Sequence, residues 1–255
     1  MLRWLADDIG WRTVLKTFLF PERTWRYRDV DVLYRSDLDG GGRDMSYFFI
    51  EALRQQYPRL GGHKFRNIFE WCCGPGFIGY ALLAEGLCER LCLADINPLA
   101  IEYAKKTAEK NHLSDRVDVF VSDNFKQIPS DKKFDLIVSN SPNYYGINPQ
   151  HPYYSRLGKD LRPNDQGWAI HKDFYATVSS RLLPGGTLMI QEISPHQSEV
   201  WTPEFDVPYD IRPRPPIVDF QRMIESAGLI YEGTSPLCTM PGGFHSELVR
   251  SRLTV

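Results

Sequence analysis

The sequence lacks a charge surplus: 30 Lys and Arg stand against 32 Asp and Glu, a formal net charge of −2. That balance argues against a polyanion-binding or membrane-binding surface and disfavours nucleic acid as a partner. It lacks a CxxC pair as well. The five cysteines, at 72, 73, 88, 92 and 238, are odd in number and have no histidine at zinc-finger spacing, so they read as buried free thiols and no metal is expected. No run of about 18 apolar residues is present. The opening Met1 to Asp8 places Asp7 and Asp8 where a signal peptide needs an apolar core, so no membrane association is expected and a cytoplasmic location is. Internal repeats are absent too. With 42% hydrophobic and 24% charged residues over 255 positions, the composition excludes collagen-like, disordered and disulfide-scaffold classes and fits one sizeable α/β domain with an appendage.

Residues 1–43 contain Trp4, Trp11 and Trp25 together with Phe18, Phe20, Tyr27 and Tyr34. They read as an aromatic-rich helical extension or lid, with Pro21 ending a helix and Gly40-Gly41-Gly42 forming a flexible boundary. Residues 44–255 read as a single catalytic domain. A helix from Asp44 to about Gln56 opens it. Phe65–Glu70, Leu91–Asp95, Val117–Val121, Phe134–Val138 and Thr187–Ile190 have strand character. Phe77–Glu85, Pro98–Asn111, Ile170–Leu182 and Ile217–Ala227 have helical character, a Pro184-Gly185-Gly186 turn precedes the fifth strand, and closing strands lie near Leu229–Tyr231 and Leu248–Val255. Strands alternating with helices predict a Rossmann-like, doubly wound, mostly parallel seven-stranded α/β sheet with the N-terminal helical extension. Two proline-rich stretches, 142–166 and 202–216, interrupt the pattern as long loops, a feature that is usually functional or mobile.

Between the first of these strands and its helix lies Glu70-Trp71-Cys72-Cys73-Gly74-Pro75-Gly76, and Asp95 ends the next strand 19 residues after Gly76. Glycines at such a turn let a ligand approach the backbone, and an acid about 20 residues on can accept from ribose hydroxyls, so a nucleoside-containing cofactor is indicated. NAD and S-adenosylmethionine are both served by this pattern. Residues 65–192 resemble the core of class I S-adenosylmethionine-dependent methyltransferases, whose turn reads E/D-x-G-x-G-x-G; Cys72 stands at the first glycine. The resemblance implies that Glu70 meets the methionine ammonium through the turn, and that Cys72, Gly74 and Gly76 admit the cofactor. By the same token Asp95 holds the ribose, Ile96 flanks the adenine, Asp123 accepts from the adenine amino group, and Asn124 beside it joins the cofactor set.

The strand and loop Phe134 to Tyr144, containing Asn140-Ser141-Pro142-Asn143, resemble the N-P-P-Y segment of methyltransferases acting on amide or amino nitrogens, including the release-factor glutamine enzymes. This decides for S-adenosylmethionine over NAD. The resemblance implies that Asn140, beside the cofactor, accepts hydrogens from the substrate nitrogen and aims its lone pair at the methyl group; such positioning supplies much of the catalysis. Ser141 replaces the first proline and Asn143 the aromatic, with Tyr144 and Tyr145 shifted into candidate catalytic places. Asp165, His171, Pro184-Gly185-Gly186 and Glu192 loosely echo further segments of the glutamine enzymes, and His171 is a minor candidate for a general base.

The function expected is therefore methyl transfer from S-adenosylmethionine to a nitrogen or oxygen of a small molecule, in specialised metabolism, with the oligomeric state open. One alternative is a lyase or cyclase that closes the cofactor's own aminobutyrate into a ring and releases methylthioadenosine. Another is a protein glutamine or nucleic-acid amino methyltransferase. A binding module that has lost catalysis ranks last.

Overall fold

The computed structural model describes residues 21–56, 64–143, 165–193, 216–239 and 245–254. Its centre is a seven-stranded sheet of β3 (Phe65–Trp71), β4 (Cys88–Asp95), β5 (Val117–Val121), β6 (Phe134–Ser139), β7 (Leu182–Ile193), β8 (Leu229–Thr239) and β9 (His245–Leu253), in the order β5-β4-β3-β6-β7-β9-β8. The first five strands are parallel, and β9 runs antiparallel between β7 and β8. A parallel sheet must be covered on both faces, which is why the inner stretches of its strands, such as Leu91–Ala94 and Leu136–Val138, are apolar and buried.

Alternation along those strands sorts the core into two layers. Ile68, Leu91, Leu93, Leu136 and Val138 face α1 (Gly42–Gln56), α2 (Phe77–Ala84) and α3 (Pro98–Lys110). Phe69, Cys92, Ala94 and Ile137 face α4 (Ala169–Val178) and α5 (Pro216–Ser226). In α1 the apolar residues Met45, Phe49, Ile50 and Leu53 fall on one stripe and are all buried, each contributing about 1.5–3 kcal/mol. Asn97 caps α3 by accepting from Leu99 N–H, and Pro98 opens the first turn, where the sequence pattern places it.

The N-terminal segment corrects the sequence reading. Residues 22–35 are not helical but form a hairpin of β1 (Glu22–Tyr27) and β2 (Val30–Arg35), because Val30, Val32 and Tyr34 alternate inward at period two. Those three side chains are buried in the same layer as α1–α3, so the hairpin is built into the main core. Its outer edge is satisfied by α3: Leu33 N–H donates to Thr107 Oγ1 at 2.9 Å, and Asn111 exchanges two 2.9 Å bonds with the backbone of Asp31. The expected helix before Pro21 lies outside the described residues. A second correction concerns Pro184-Gly185-Gly186, expected as a turn before a strand. It lies inside β7 as a bulge, with the pairing to β6 jumping from Phe134–Leu182 to Leu136–Thr187.

Candidate active site

The carboxyl ends of β3, β4, β5 and β6 open onto a cleft of about 590 Å³, where open α/β sheets bind ligands. On one side the turn after β3 contributes Cys72, Cys73, Gly74 and Pro75; on the other, Leu38, Gly40 and Gly42 from the segment after the hairpin close the wall. Asp95, Ile96, Asn97, Asp123, Asn124, Asn140, Pro142 and Ile170 complete the lining used below.

Glu70 is buried at the start of α2 and accepts from the backbone N–H of Gly79 at 2.7 Å and from Ile78. It thereby satisfies helix N-terminal donors that have no partner within the helix. Burial dominates its titration and pushes the carboxyl up to about 8. Gly76 does not line the cleft. It occupies a left-handed backbone position (φ +87°), and a Cβ there would stand 2.8 Å from Leu93 and 3.0 Å from Tyr80. Close packing of α2 on the sheet therefore requires glycine at this position.

Asp95 accepts from Gly74 N–H and Asn97 N–H, each at 2.8 Å and each on a different carboxylate oxygen. Ile96 N–H adds a third backbone hydrogen bond, and lone-pair capacity is left over for a ribose hydroxyl. Burial raises the Asp95 pKa. Ile96 is 53% exposed at the rim, an apolar surface open at the cleft. Asp123 is half-exposed and paired with Lys126 at 2.6 Å. Asn124 departs from expectation: Oδ1 accepts from Trp71 Nε1 at 2.8 Å, and Nδ2 donates to Asp173 Oδ2 at 2.7 Å and Ile170 O at 3.2 Å. All its side-chain donors are used within the protein, so it ties β3 to α4 and presents no side-chain hydrogen to a ligand. Cys72 sits at the family's first glycine with φ +53°, and burial holds its thiol well above the ordinary value, which makes it a poor nucleophile.

On the acceptor side Asn140 Nδ2 donates to Gly40 O at 3.2 Å. This fixes the amide orientation and leaves Oδ1 as an acceptor at the cleft. Tyr144 and Tyr145 lie outside the described residues. Asn143 Nδ2 donates to Gln191 Oε1 at 2.5 Å, while its own Oδ1 is buried without a partner among the described residues. Sequence reasoning missed the wall formed by Leu38, Gly40 and Gly42; the triple glycine, read there as a flexible boundary, was its one signal.

S-adenosylmethionine fits this arrangement on the donor set alone: a carboxylate with lone-pair capacity for a ribose, an open apolar rim for a purine, and a glycine turn with room at Gly74, where a Cβ would meet only Leu38 O at 3.7 Å. No group of His, Cys, Asp and Glu suited to a metal ion occurs among the described residues. Among the same residues no helix is long and apolar enough to cross a membrane.

Comparison with known proteins bears on the same region. The family described as methyltransferase small domain matches residues 32–157, a span that crosses the boundary expected at residue 43. The chain is 30% identical over 149 residues to a ribosomal RNA small subunit methyltransferase C of Actinobacillus succinogenes, covering 58% of this chain and 42% of that one. It is 33% identical over 147 residues to the release factor glutamine methyltransferase of Leptospira interrogans, covering 52% of this chain and 48% of that one. The chain thus spans less than half the length of these relatives. In fold it is similar to an S-adenosylmethionine-dependent methyltransferase from Clostridium acetobutylicum, with a TM-score of 0.55, 14% identity, and coverage of 86% of this chain and 94% of that one. Relatives named for ribosomal RNA and release-factor methylation overturn the expectation of a small-molecule substrate and of nucleic acid as a disfavoured partner. The physical reason is that net charge averages the whole chain, whereas recognition depends on local surface.

Proposed function

We propose that the chain, which matches the methyltransferase small domain family over residues 32–157, is an S-adenosylmethionine-dependent methyltransferase that methylates a nitrogen of a macromolecule, ribosomal RNA first. The observation that carries the reading is Asn140, held at the cleft with its amide oriented by Gly40. An accepting oxygen beside the methyl donor suits a planar nitrogen that carries hydrogens, as in a nucleobase amino group.

The bound cofactor supplies an activated methyl group on a sulfonium; the protein's work is to bind, orient and exclude water. Asp95 would hold the ribose, Ile96 would cover one face of the purine, and Asp123 would accept from its amino group. Glu70 fixes the turn through α2. Asn140 Oδ1 would accept one hydrogen of the target nitrogen and so orient its lone pair. A cytoplasmic setting goes with that acceptor.

The second reading, a glutamine amide in a release factor, is favoured by the 33% identity to the Leptospira enzyme. The two are separated by incubating the protein and tritiated S-adenosylmethionine with deproteinised small-subunit ribosomal RNA and, separately, with purified release factor. Label in RNA that nuclease releases as a methylated base supports the first; label in a tryptic glutamine peptide supports the second. Label in neither overturns both.

A further inference from the structure

Beneath the acceptor turn lies a cluster of ionisable side chains that methyl transfer does not by itself require. His171, on α4, is fully buried; its Nδ1 lies 2.6 Å from Asp165 Oδ2 and its Nε2 3.0 Å from Glu192 Oε1. With Asp165 and Glu192 ionised, a hydrogen on each ring nitrogen satisfies both contacts, so the arrangement suits an imidazolium; burial raises the Glu192 carboxyl and the facing His171 lowers it. The Nε2 hydrogen is shared, because Ser141 Oγ stands 3.1 Å away. Asp165 also accepts from the backbone N–H groups of Ile170 at 2.8 Å and His171 at 2.9 Å, which locks the start of α4 to the ring. Trp71, Trp168 and Phe220 wall the imidazole with centroids 5.2, 5.4 and 4.9 Å away.

Buried charges are expensive, and an apolar core of the same shape is often at least as stable. Here the expense is visible: Glu192 Oε2 is buried with no hydrogen-bond partner among the described residues. What this arrangement secures is one residue of the acceptor turn. Asn140 and Pro142 face the cleft, while Ser141 between them is buried against His171. Ser141 stands where the N-P-P-Y segment has a proline ring to fix φ, and a hydrogen bond from a rigidly held donor restores the constraint that serine lacks.

We propose that His171, clamped between Asp165 and Glu192, is a positioning residue for methyl transfer: it holds Ser141 and so sets the turn on which Asn140 presents the acceptor nitrogen. The inference rests on the reading of Asn140 as the acceptor-binding residue. The groups that bear on the ring's protonation are Asp165 ahead of α4, Glu192 on β7, Ser141 after β6, and more distantly Tyr175 on α4 and Cys72 after β3; β3 and α5 otherwise present the uncharged Trp71 and Phe220. Burial pulls the imidazole pKa down, but the charge of Glu192 and the hydrogen bonds to Asp165 and Glu192 outweigh it and bring it up to about 9.

The test compares Ser141→Ala and His171→Gln with the wild type by hydrogen–deuterium exchange over residues 139–143, cofactor titration calorimetry, and kcat and KM on ribosomal RNA or release factor. Expected are cofactor Kd values within about threefold of wild type, exchange over 139–143 at least tenfold faster, and kcat at least tenfold lower with acceptor KM little changed. The wild-type kcat should also fall as pH rises through about 9, and that limb should be missing in His171→Gln. If His171→Gln does not fold, Ser141→Ala, which removes one hydroxyl, decides by exchange and kcat. Exchange and kcat unchanged in the folded variants would overturn the proposal, as would cofactor affinity falling in step with kcat. A wild-type enzyme that labels neither acceptor sinks the functional reading instead, and exchange over 139–143 then decides the clamp alone.

Discussion

The cofactor half of the cleft and its acceptor half are assembled over very different distances along the chain. In the cofactor half Asp95 meets Asn97 two residues away, Glu70 meets Gly79 nine away, and Asp95 meets Gly74 21 away. In the acceptor half Ser141 meets His171 across 30 residues, Asn143 meets Gln191 across 48, Gln191 meets Ser246 across 55 and Asn140 meets Gly40 across 100. The first half leans on backbone amides at a strand-to-helix turn, the second on side chains from four separate elements. The lesson is that a ligand common to a whole fold can be held by one local turn, whereas a particular acceptor needs a surface that only long-range packing creates.

The sharpest way to test this division is Asn140→Ala. It should lower kcat by about 100- to 1,000-fold, the cost of losing one oriented polar group at a reacting centre, while calorimetry finds cofactor Kd changed little. A parallel collapse of cofactor binding would break the separation between halves. Asp95→Ala should do the reverse, weakening cofactor Kd by about 100-fold, since charge-assisted hydrogen bonds contribute about 1.5–3 kcal/mol each.

Stability experiments sharpen the comparison further. Gly79→Ala would place a Cβ 2.7 Å from Glu70 Oε2 and 2.8 Å from Leu91, so unfolding by urea should show a loss of about 1–3 kcal/mol from overpacking. Glu70 carries a pH signature. Its folded pKa of about 8 lies above the ordinary 4.5, so the folded chain holds a proton that the unfolded chain has released. Stability of the cofactor-free protein should therefore decline as pH rises from about 4.5 to about 8 and then level off. Glu70→Gln, which keeps an oxygen for Gly79, should flatten that decline in denaturation curves taken across pH. The smallest effect is expected from Cys72→Gly. Relief of a left-handed backbone favours the variant by about 1 kcal/mol, and the greater freedom of glycine in the unfolded chain offsets most of it; the melting temperature should hardly move.

The same contrast explains what could be read without coordinates. The five parallel strands and their helices were legible because period-two and period-3.6 patterns act within a few residues of one another, as Ile68 and Phe69 on opposite faces of β3 illustrate. The turn at Glu70–Gly76 was legible for the same reason. The packing of Gly76 against Leu93 and Tyr80 was not, because a glycine needed for packing has the same spelling as one needed for a cofactor. The hairpin at 22–35 was hidden by aromatic composition that suits a helix and a strand equally; contact with α3 through Thr107 and Asn111 settles its form.

By itself the amino-acid order determined the sheet, the glycine turn and the acid at the end of β4, since each follows from local steric preference and hydrophobic period. Tertiary structure alone decided that Gly40 orients Asn140, that the Asn124 side chain ties Trp71 to α4, and that Asp165, His171 and Glu192 converge beneath Ser141. Such meetings depend on the order and register of strands that are distant in sequence, and no local propensity encodes them.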